Sequence, residues 1–293
     1  MTDAPNPDQP GWLAGQRVLV IGAGGRLGRR ISQRLITGGA MVTGVVHRSR
    51  PLPGLPAVFA HNAVDPGAMA PLLTQTDWVI CAAPAEIAAA LAPHLPQGVK
   101  LLAVGSLRRL LVDDAGGIAA RAAEAAVTAA GGVILHPAQL WGDGDDSIAQ
   151  MLRRCRSWPT WLPMPVPGGD RFAQPLHSDD AAQCFLAAMA RWPLPVAALD
   201  LAGPRPLRRW RLVQMCQRSL GRWLPPLPVP TGPVLWAMRR WPRLPWPATA
   251  AEVSRLGADQ VADIKPMVQI LGVTPRAFDP EQVRQLVDAP APR

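Results

Sequence analysis

The chain has 293 residues, 48% of them hydrophobic and only 17% charged, which excludes a disordered or fibrous protein and leaves room for one large domain or two lobes. Its 30 Lys+Arg against 21 Asp+Glu leave a net charge of +9, so acidic ligands such as phosphates, nucleic acid or anionic lipid are favoured over cationic ones. The cations are nearly all arginine, because Lys100 and Lys265 are the only lysines, and there is no tyrosine.

After a Pro-rich leader, Arg17 to Ile21 (RVLVI) reads as a strand, followed by glycines and by RLGRRISQRLITGG, whose Leu27, Ile31, Leu35 and Ile36 recur at helical spacing. The unit repeats. MVTGVV (41–46), AVFA (57–60), DWVICAA (77–83), VKLLAVGS (99–106) and GVILHPAQL (132–140) are apolar runs separated by Ala-rich, helix-compatible segments. Strands that are apolar throughout and alternate with helices predict a doubly wound parallel sheet covered on both faces, the α/β Rossmann class.

From Gly142 the pattern turns to loops, GDGDD and SWPTWLPMPVPGGD, before AQPLHSDDAAQCFLAAMA, where Ser178 is placed to cap a helix starting at Asp179. ALDLAG (198–203) is strand-like. Between Gly203 and Ala251 there is no carboxylate but nine arginines, interleaved with Trp210, Trp223, Trp236, Trp241 and Trp246. The expected organisation is a flexible leader over 1–14, a nucleotide-binding domain over 15–195 with the 146–170 loop contributing to its cleft, and a smaller C-terminal lobe over 196–293.

The four cysteines, Cys81, Cys155, Cys184 and Cys216, are far apart, without CxxC or histidines at ligand spacing, so neither a disulfide framework nor a metal site is expected. The start of the chain lacks the charge and apolar core of a signal peptide, and no stretch is apolar for the roughly 18 residues of a membrane span. A cytoplasmic protein is the expectation, with peripheral contact at the inner face of the membrane.

Gly22, Ala23, Gly24, Gly25, Arg26, Leu27 and Gly28 form GAGGRLG between the first strand and the first helix, where glycines permit a tight turn and a helix N-terminus presents N–H groups to a pyrophosphate. This predicts dinucleotide binding. No carboxylate stands between Asp8 and Asp65 to grip a ribose 2′-hydroxyl, and the second strand runs into His47, Arg48, Ser49 and Arg50, whose guanidinium forks suit a 2′-phosphate. NADP(H) is therefore expected over NAD(H).

These glycines, the VHRSR after the second strand, NAVDP (62–66), CAAP (81–84), ILHPAQLWGDGD (134–145), FAQPLHSDDAAQCFLAAM (172–189) and LDLAGPRPL (199–207) together resemble the extended and atypical branches of the short-chain dehydrogenase/reductase family. The tail over 247–278 is similar to bacterial relatives of the nucleotide-binding accessory subunit of respiratory complex I. The resemblance implies that Gly22, Gly25, Arg26, Leu27 and Gly28 hold the pyrophosphate, Arg48 and Arg50 the 2′-phosphate, and Asn62 the adenine. It further implies Ala82, Ala83 and Pro84 along the ribose, His136, Pro137 and Ala138 against the nicotinamide, and Ser106 at the family's catalytic Ser/Thr position.

The family's catalytic Tyr and Lys are missing. GGIAARAAEAAV puts Gly117 where the Tyr stands and Arg121 where the Lys stands, and neither performs the proton transfer of the standard mechanism. Ser106, His136 and His177 are the remaining catalytic candidates, with Asp179 and Asp180 nearby; each also has a structural reading as cap or packing group. Two functions follow: a protein in which NADP(H) is structural or sensed, serving assembly or regulation of a membrane quinone enzyme, or an NADP-dependent oxidoreductase or epimerase with substitute groups. Nucleic acid is not an expected partner, because no recognition motif accompanies the charge. In Thr231 to Trp246, Leu235, Trp236, Met238 and Trp241 alternate with Arg239, Arg240 and Arg243, a composition suited either to an anionic membrane surface or to the second lobe's own core.

Overall fold

Chains of Val, Ile, Leu and Ala that are apolar at every position can be stable only where both faces are covered, and the computed structural model shows them so placed. It describes residues 9, 11–47, 53–59, 65–111, 114–244 and 248–289. Arg48, Arg50, Asn62 and Trp246 lie outside the described residues.

Six successive strands, β1 (Arg17–Ile21), β2 (Met41–Val46), β3 (Ala57–Phe59), β4 (Trp78–Cys81), β5 (Lys100–Val104) and β6 (Val133–Pro137), lie in one parallel sheet. Five short strands follow, β7 (Leu140–Trp141), β8 (Pro165–Pro167), β9 (Phe172–Ala173), β10 (Leu176–His177) and β11 (Ala198–Leu201), and then β12 (Leu207–Arg208) and β13 (Leu227–Val229). The sheet order is β11-β6-β5-β4-β1-β2-β3. The order reverses between β1 and β4, the switch point at which doubly wound sheets open a crevice.

Helices α1 (Arg26–Thr37), α2 (Pro66–Leu73), α3 (Ala85–Leu91), α4 (Ala115–Ala129), α5 (Ser147–Ser157) and α6 (Ser178–Ala190) precede α7 (Arg209–Ser219), α8 (Thr231–Arg240), α9 (Ala250–Arg255), α10 (Lys265–Leu271) and α11 (Pro280–Asp288). Alternate residues of β1 split between two cores. Val18 and Val20 meet Leu27, Ile31 and Leu35 of α1, Phe185 of α6 and Met267 of α10, while Leu19 and Ile21 meet Met69 of α2, Leu91 of α3 and Val127 of α4. Ile36, one position off the i, i+4 stripe of α1, is exposed.

Several expected boundaries move. Leu13, assigned to the flexible leader, is buried in the first core with Trp12 beside it, and its N–H donates to the Gly38 carbonyl at 2.9 Å. Residues 147–157, assigned to a loop, form α5, because Asp146 caps the N–H groups of Ile148 and Ala149 at 2.9 and 2.8 Å and Ile148, Leu152 and Cys155 bury one helical stripe. Ala198–Leu201, assigned to the smaller lobe, is the edge strand of the sheet and pairs with β6. A third core is formed by Trp141, Ile148, Leu152, Cys155, Val166, Leu212, Val213, Cys216 and Val283, contributed mainly by α5, α7 and α11. No helix of the described residues is long and apolar enough to cross a membrane.

Phe185 is fully buried between α6 and the sheet. Replacing it with Ala should cost about 3–5 kcal/mol in urea unfolding, whereas exposed Ile36→Ala should change stability by less than about 1 kcal/mol.

Candidate functional site

The crevice begins where β1 ends. Gly22 takes φ +82°, and a Cβ there would lie 2.9 Å from the Ala83 nitrogen; a Cβ on Gly28 would lie 2.1 Å from the Gly22 carbonyl oxygen. Both contacts are with main chain that has nowhere to go, so glycine is required for α1 to close onto β1. Gly25 is the N-cap, and no side chain caps α1, so the first N–H groups of the helix face the crevice unclaimed by a capping side chain. Leu27 points its side chain into the core and offers the crevice only its backbone, while Arg26 is exposed and donates to the Asp145 carbonyl at 3.1 Å.

Ala82 and Ala83 follow β4 across the crevice, held by the Ala82 N–H on the Ile21 carbonyl at 2.8 Å, with Pro84 exposed at the start of α3. Pro137 ends β6, and the Ala138 N–H reaches the Leu201 carbonyl at 2.7 Å. Thus Gly22, Gly25, Gly28, Ala82, Ala83, Pro84, Pro137 and Ala138 all stand at the C-terminal edge of the sheet. The positions expected to take the adenosine end, Arg48, Arg50 and Asn62, lie outside the described residues.

The catalytic candidates are brought close but engaged elsewhere. Ser106 is exposed at the end of β5, where its Oγ accepts from the Arg108 N–H at 3.1 Å, capping the 3-10 turn Leu107–Leu110. Its own N–H donates to His136 Nδ1 at 3.0 Å. His136 is 0% exposed, and burial together with the Arg109 guanidinium pulls its pKa down to about 4, against a weaker pull from Asp200. The imidazole is neutral, and its Nε2 lies 3.1 Å from Glu124 Oε2, out of line for a hydrogen bond. Around it, Arg109 binds both oxygens of Asp200 at 2.9 and 3.0 Å and approaches Glu124 at 3.6 Å. His136 is a packing group under the edge of the crevice; Gly105 makes room for it, since a Cβ there would fall 2.2 Å from Nδ1.

Gly117, where the resemblance puts the family's Tyr, lies in a closed corner. A Cβ on Gly117 would lie 2.1 Å from the Leu111 carbonyl oxygen and 2.9 Å from that of Arg108. The Gly117 N–H is occupied by the Asp114 side chain at 3.0 Å, and Asp114 is clamped to Arg108. Arg121, at the Lys position, donates to the Arg109 and Leu111 carbonyls at 2.6 and 3.1 Å, tying the 3-10 turn to α4. Glycine and arginine are therefore parts of a packed corner that has no room for a tyrosine.

His177, 1% exposed, caps α6 by accepting from the Asp179 N–H at 3.1 Å, the role expected of Ser178. Ser178 instead donates to Asp143 at 2.5 Å, because α6 begins one residue earlier than the sequence suggests. Burial and Arg276 hold the His177 pKa below the ordinary range, and its ring meets Trp141 edge-on at 4.5 Å. Asp179 pairs with Arg30, which also donates to Asp143 at 2.6 Å and to the Gly142 carbonyl at 2.6 Å; Asp180 accepts from the Arg276 N–H and side chain at 2.8 and 2.9 Å. Sequence reasoning missed Arg30, Arg109 and Arg276, whose partners lie 91 to 149 residues away and leave no local trace. The unpartnered acidic run GDGDD was the only hint that a cation had to come from elsewhere.

All four cysteines are buried and none is in a disulfide; burial pushes Cys81 up to about 12 and Cys155 up to about 11, so no thiolate is available. Among the described residues, no group of three or more His, Cys, Asp or Glu could hold a metal ion.

No family model matches this chain, and no curated protein matches it. Solved structures do. It is similar to the UDP-glucose 4-epimerase of Thermotoga maritima with UDP-glucose, at TM-score 0.68 and 15% identity, covering 93% of this chain and 98% of that one. It is also similar to the dTDP-glucose 4,6-dehydratase of Bacillus anthracis in complex with NAD (0.69, 11%, 93% and 96%) and to the Bordetella bronchiseptica enzyme WbmF in complex with NADH (0.70, 14%, 96% and 93%). At such identities the likeness is one of fold: this chain has the Rossmann-like α/β fold that these structures share. The link of the tail to a complex I accessory subunit is not among these findings.

Gly117→Ala should lower stability by about 1–3 kcal/mol in thermal unfolding, since main chain blocks the new methyl, while Gly232→Ala on the exposed start of α8, with open space around it, should be neutral or stabilising. His136 gives a pH test. Its folded pKa of about 4 lies below the ordinary 6.5, so its stabilisation is complete above pH 6.5 and is lost as pH falls toward 4, a loss on the order of 3 kcal/mol. Urea unfolding across that range should be steeper in pH for the wild type than for His136→Gln, whose amide keeps the Ser106 contact without titrating; equal slopes would contradict a neutral His136.

Proposed function

We propose that the chain binds a nicotinamide dinucleotide along the C-terminal edge of the sheet and keeps it as a structural or sensed ligand. In this reading Gly22, Gly25, Arg26 and Gly28, with the Leu27 backbone, hold the pyrophosphate on the N-terminus of α1, Ala82, Ala83 and Pro84 line the ribose, and Ser106, Pro137 and Ala138 border the nicotinamide. The cradle that any Cβ would fill supports binding. The corner at Gly117 is the observation that carries the non-catalytic half of the proposal, because no proton donor can occupy the place the standard mechanism needs. A bound nicotinamide would supply hydride chemistry, but the residues around it here, a neutral enclosed His136 and an Arg121 spent on carbonyls, neither give nor take a proton.

NADP(H) is the preferred ligand in this proposal, supported by Arg48, Arg50 and the absence of a carboxylate between Asp8 and Asp65. A ligand that does not turn over suits assembly or regulation, and the resemblance of the tail suggests a membrane quinone enzyme as the context. The enzymatic fold neighbours and the exposed Ser106 favour a second reading, an NADP-dependent oxidoreductase or epimerase with substitute groups.

Nucleotide released on denaturation and identified by mass spectrometry should be NADP(H). Calorimetry should show NADP(H) binding more tightly than NAD(H), with the difference, on the order of 3 kcal/mol, removed by the Arg48→Ala, Arg50→Ala double variant. Equal affinities in the wild type would refute the assignment. Steady NADPH consumption with any of a panel of carbonyls and quinones would establish the second reading in place of the first.

A further inference from the structure

The second lobe buries Trp141 and leaves other tryptophans in water: Trp161 is 78% exposed, Trp223 80%, Trp236 62% and Trp241 46%, with Leu227 and Leu244 also more than half exposed. Large aromatic side chains so placed need a reason, because each withholds burial that folding would otherwise gain. On α8 the arrangement has an axis. Met238 is the buried residue that seats the helix, against the sequence expectation that it joins an exposed apolar row, and Leu235 is half-buried on the same side. Counting 100° per residue from Met238, Trp236 and Arg240 project from the opposite face, with Arg239 at its flank. Trp236 and Trp241 then meet edge-to-face at 5.6 Å, and the Arg240 guanidinium stands 5.9 Å over the Trp241 ring.

The electrostatics of this face are one-signed. Arg239, Arg240 and Arg243 are exposed, and among the described residues none of them is in a salt bridge. No carboxylate occurs from Gly203 to Ala251. Glu252, the first beyond it, is turned to its own helix end, accepting from Thr249 N–H and Oγ1 at 2.7 and 2.9 Å. Trp223 and Leu227 extend the apolar area toward Trp161, because β13 pairs with β8 and Arg222 is bonded to the Trp158 and Arg156 carbonyls.

We infer that the outward face of α8, with Trp236, Trp241 and Leu244 among Arg239, Arg240 and Arg243, docks on an anionic lipid surface. Indole rings prefer the headgroup level of a bilayer, where the ring is out of water and the N–H is not, and guanidinium groups beside them pair with lipid phosphate. A helix of 10 residues, in a structure where no helix of the described residues is long and apolar enough to cross a membrane, gives reversible, salt-sensitive binding of the protein's edge and not insertion. Nucleic acid would also answer to arginine and tryptophan, but Leu244 and Leu227 present apolar area that has no use against a phosphate backbone. This surface uses none of the residues assigned to the dinucleotide, so the inference does not rest on that reading.

The test is flotation of the full chain with vesicles of phosphatidylcholine alone and of phosphatidylcholine with phosphatidylglycerol. Association should require phosphatidylglycerol, fall steeply with salt, and drop about 100-fold in the R239S/R240S/R243S variant at low salt, from about fivefold per arginine. In W236S/W241S it should drop on the order of tenfold, and quenching of tryptophan fluorescence by acyl-brominated lipid should decrease. These side chains are exposed, and unchanged thermal unfolding of both variants shows that the fold is intact. No salt-sensitive association of the wild type, or association unaltered in the arginine variant, would overturn the inference; so would a salt-dependent shift of random-sequence DNA without vesicle binding, which would assign the face to nucleic acid.

Discussion

The Gly28 Cα sits so close to the Gly22 carbonyl that a single added carbon would lie 2.1 Å from the oxygen, and the rest of the molecule is arranged around that contact. It lets α1 start within a few residues of β1 and lie flat on the sheet, which puts Ile31 and Leu35 into the same core as Phe185 of α6. It also aims the helix N-terminus, with its uncapped N–H groups and positive dipole, into the crevice between β1 and β4. Fold and candidate site therefore share one backbone requirement, and a side chain at position 28 would disturb both.

From α1 the same helix reaches distant segments of the chain through charge. Arg30 gathers Asp143, Asp179 and the Gly142 carbonyl, and Asp180 takes Arg276 from the chain that leads to α11. Arg30, Asp143 and Asp179 are partly buried and Asp180 is buried, so stranding one of these charges carries a larger penalty than breaking an exposed pair such as Arg17–Asp77. Four segments far apart in the chain are thereby held next to the glycine turn.

The corner at Gly117 and the face of α8 are departures in opposite directions. In the first, the place where the resemblance expects a reactive side chain is filled by main chain and bridged by Arg121. In the second, tryptophan that a lobe of this size could use for its core is left outside among arginines. Each is intelligible as a function moved from the crevice to the surface, with the dinucleotide as a stabilising or sensed ligand and α8 as a docking edge.

What the sequence determined by itself was the sheet and the glycine turn. RVLVI and MVTGVV are predominantly apolar and β-branched, so their strands fall where the run begins and ends, and the GAGGRLG turn could be placed because its chemistry is local. α5 reads as loop in the sequence although Ile148, Leu152 and Cys155 keep helical spacing behind the capping Asp146, because the loops on both sides of it mask the signal. The rest was decided only in three dimensions. Whether Trp236 is core or surface depends on which side of α8 Met238 seats, whether His136 titrates depends on Arg109 and the burial around it, and whether Gly117 could ever have been a tyrosine depends on a carbonyl six residues before it. Periodicity reports which residues share a face, but the neighbour that face meets, and the charge or solvent it brings, comes from distant parts of the chain.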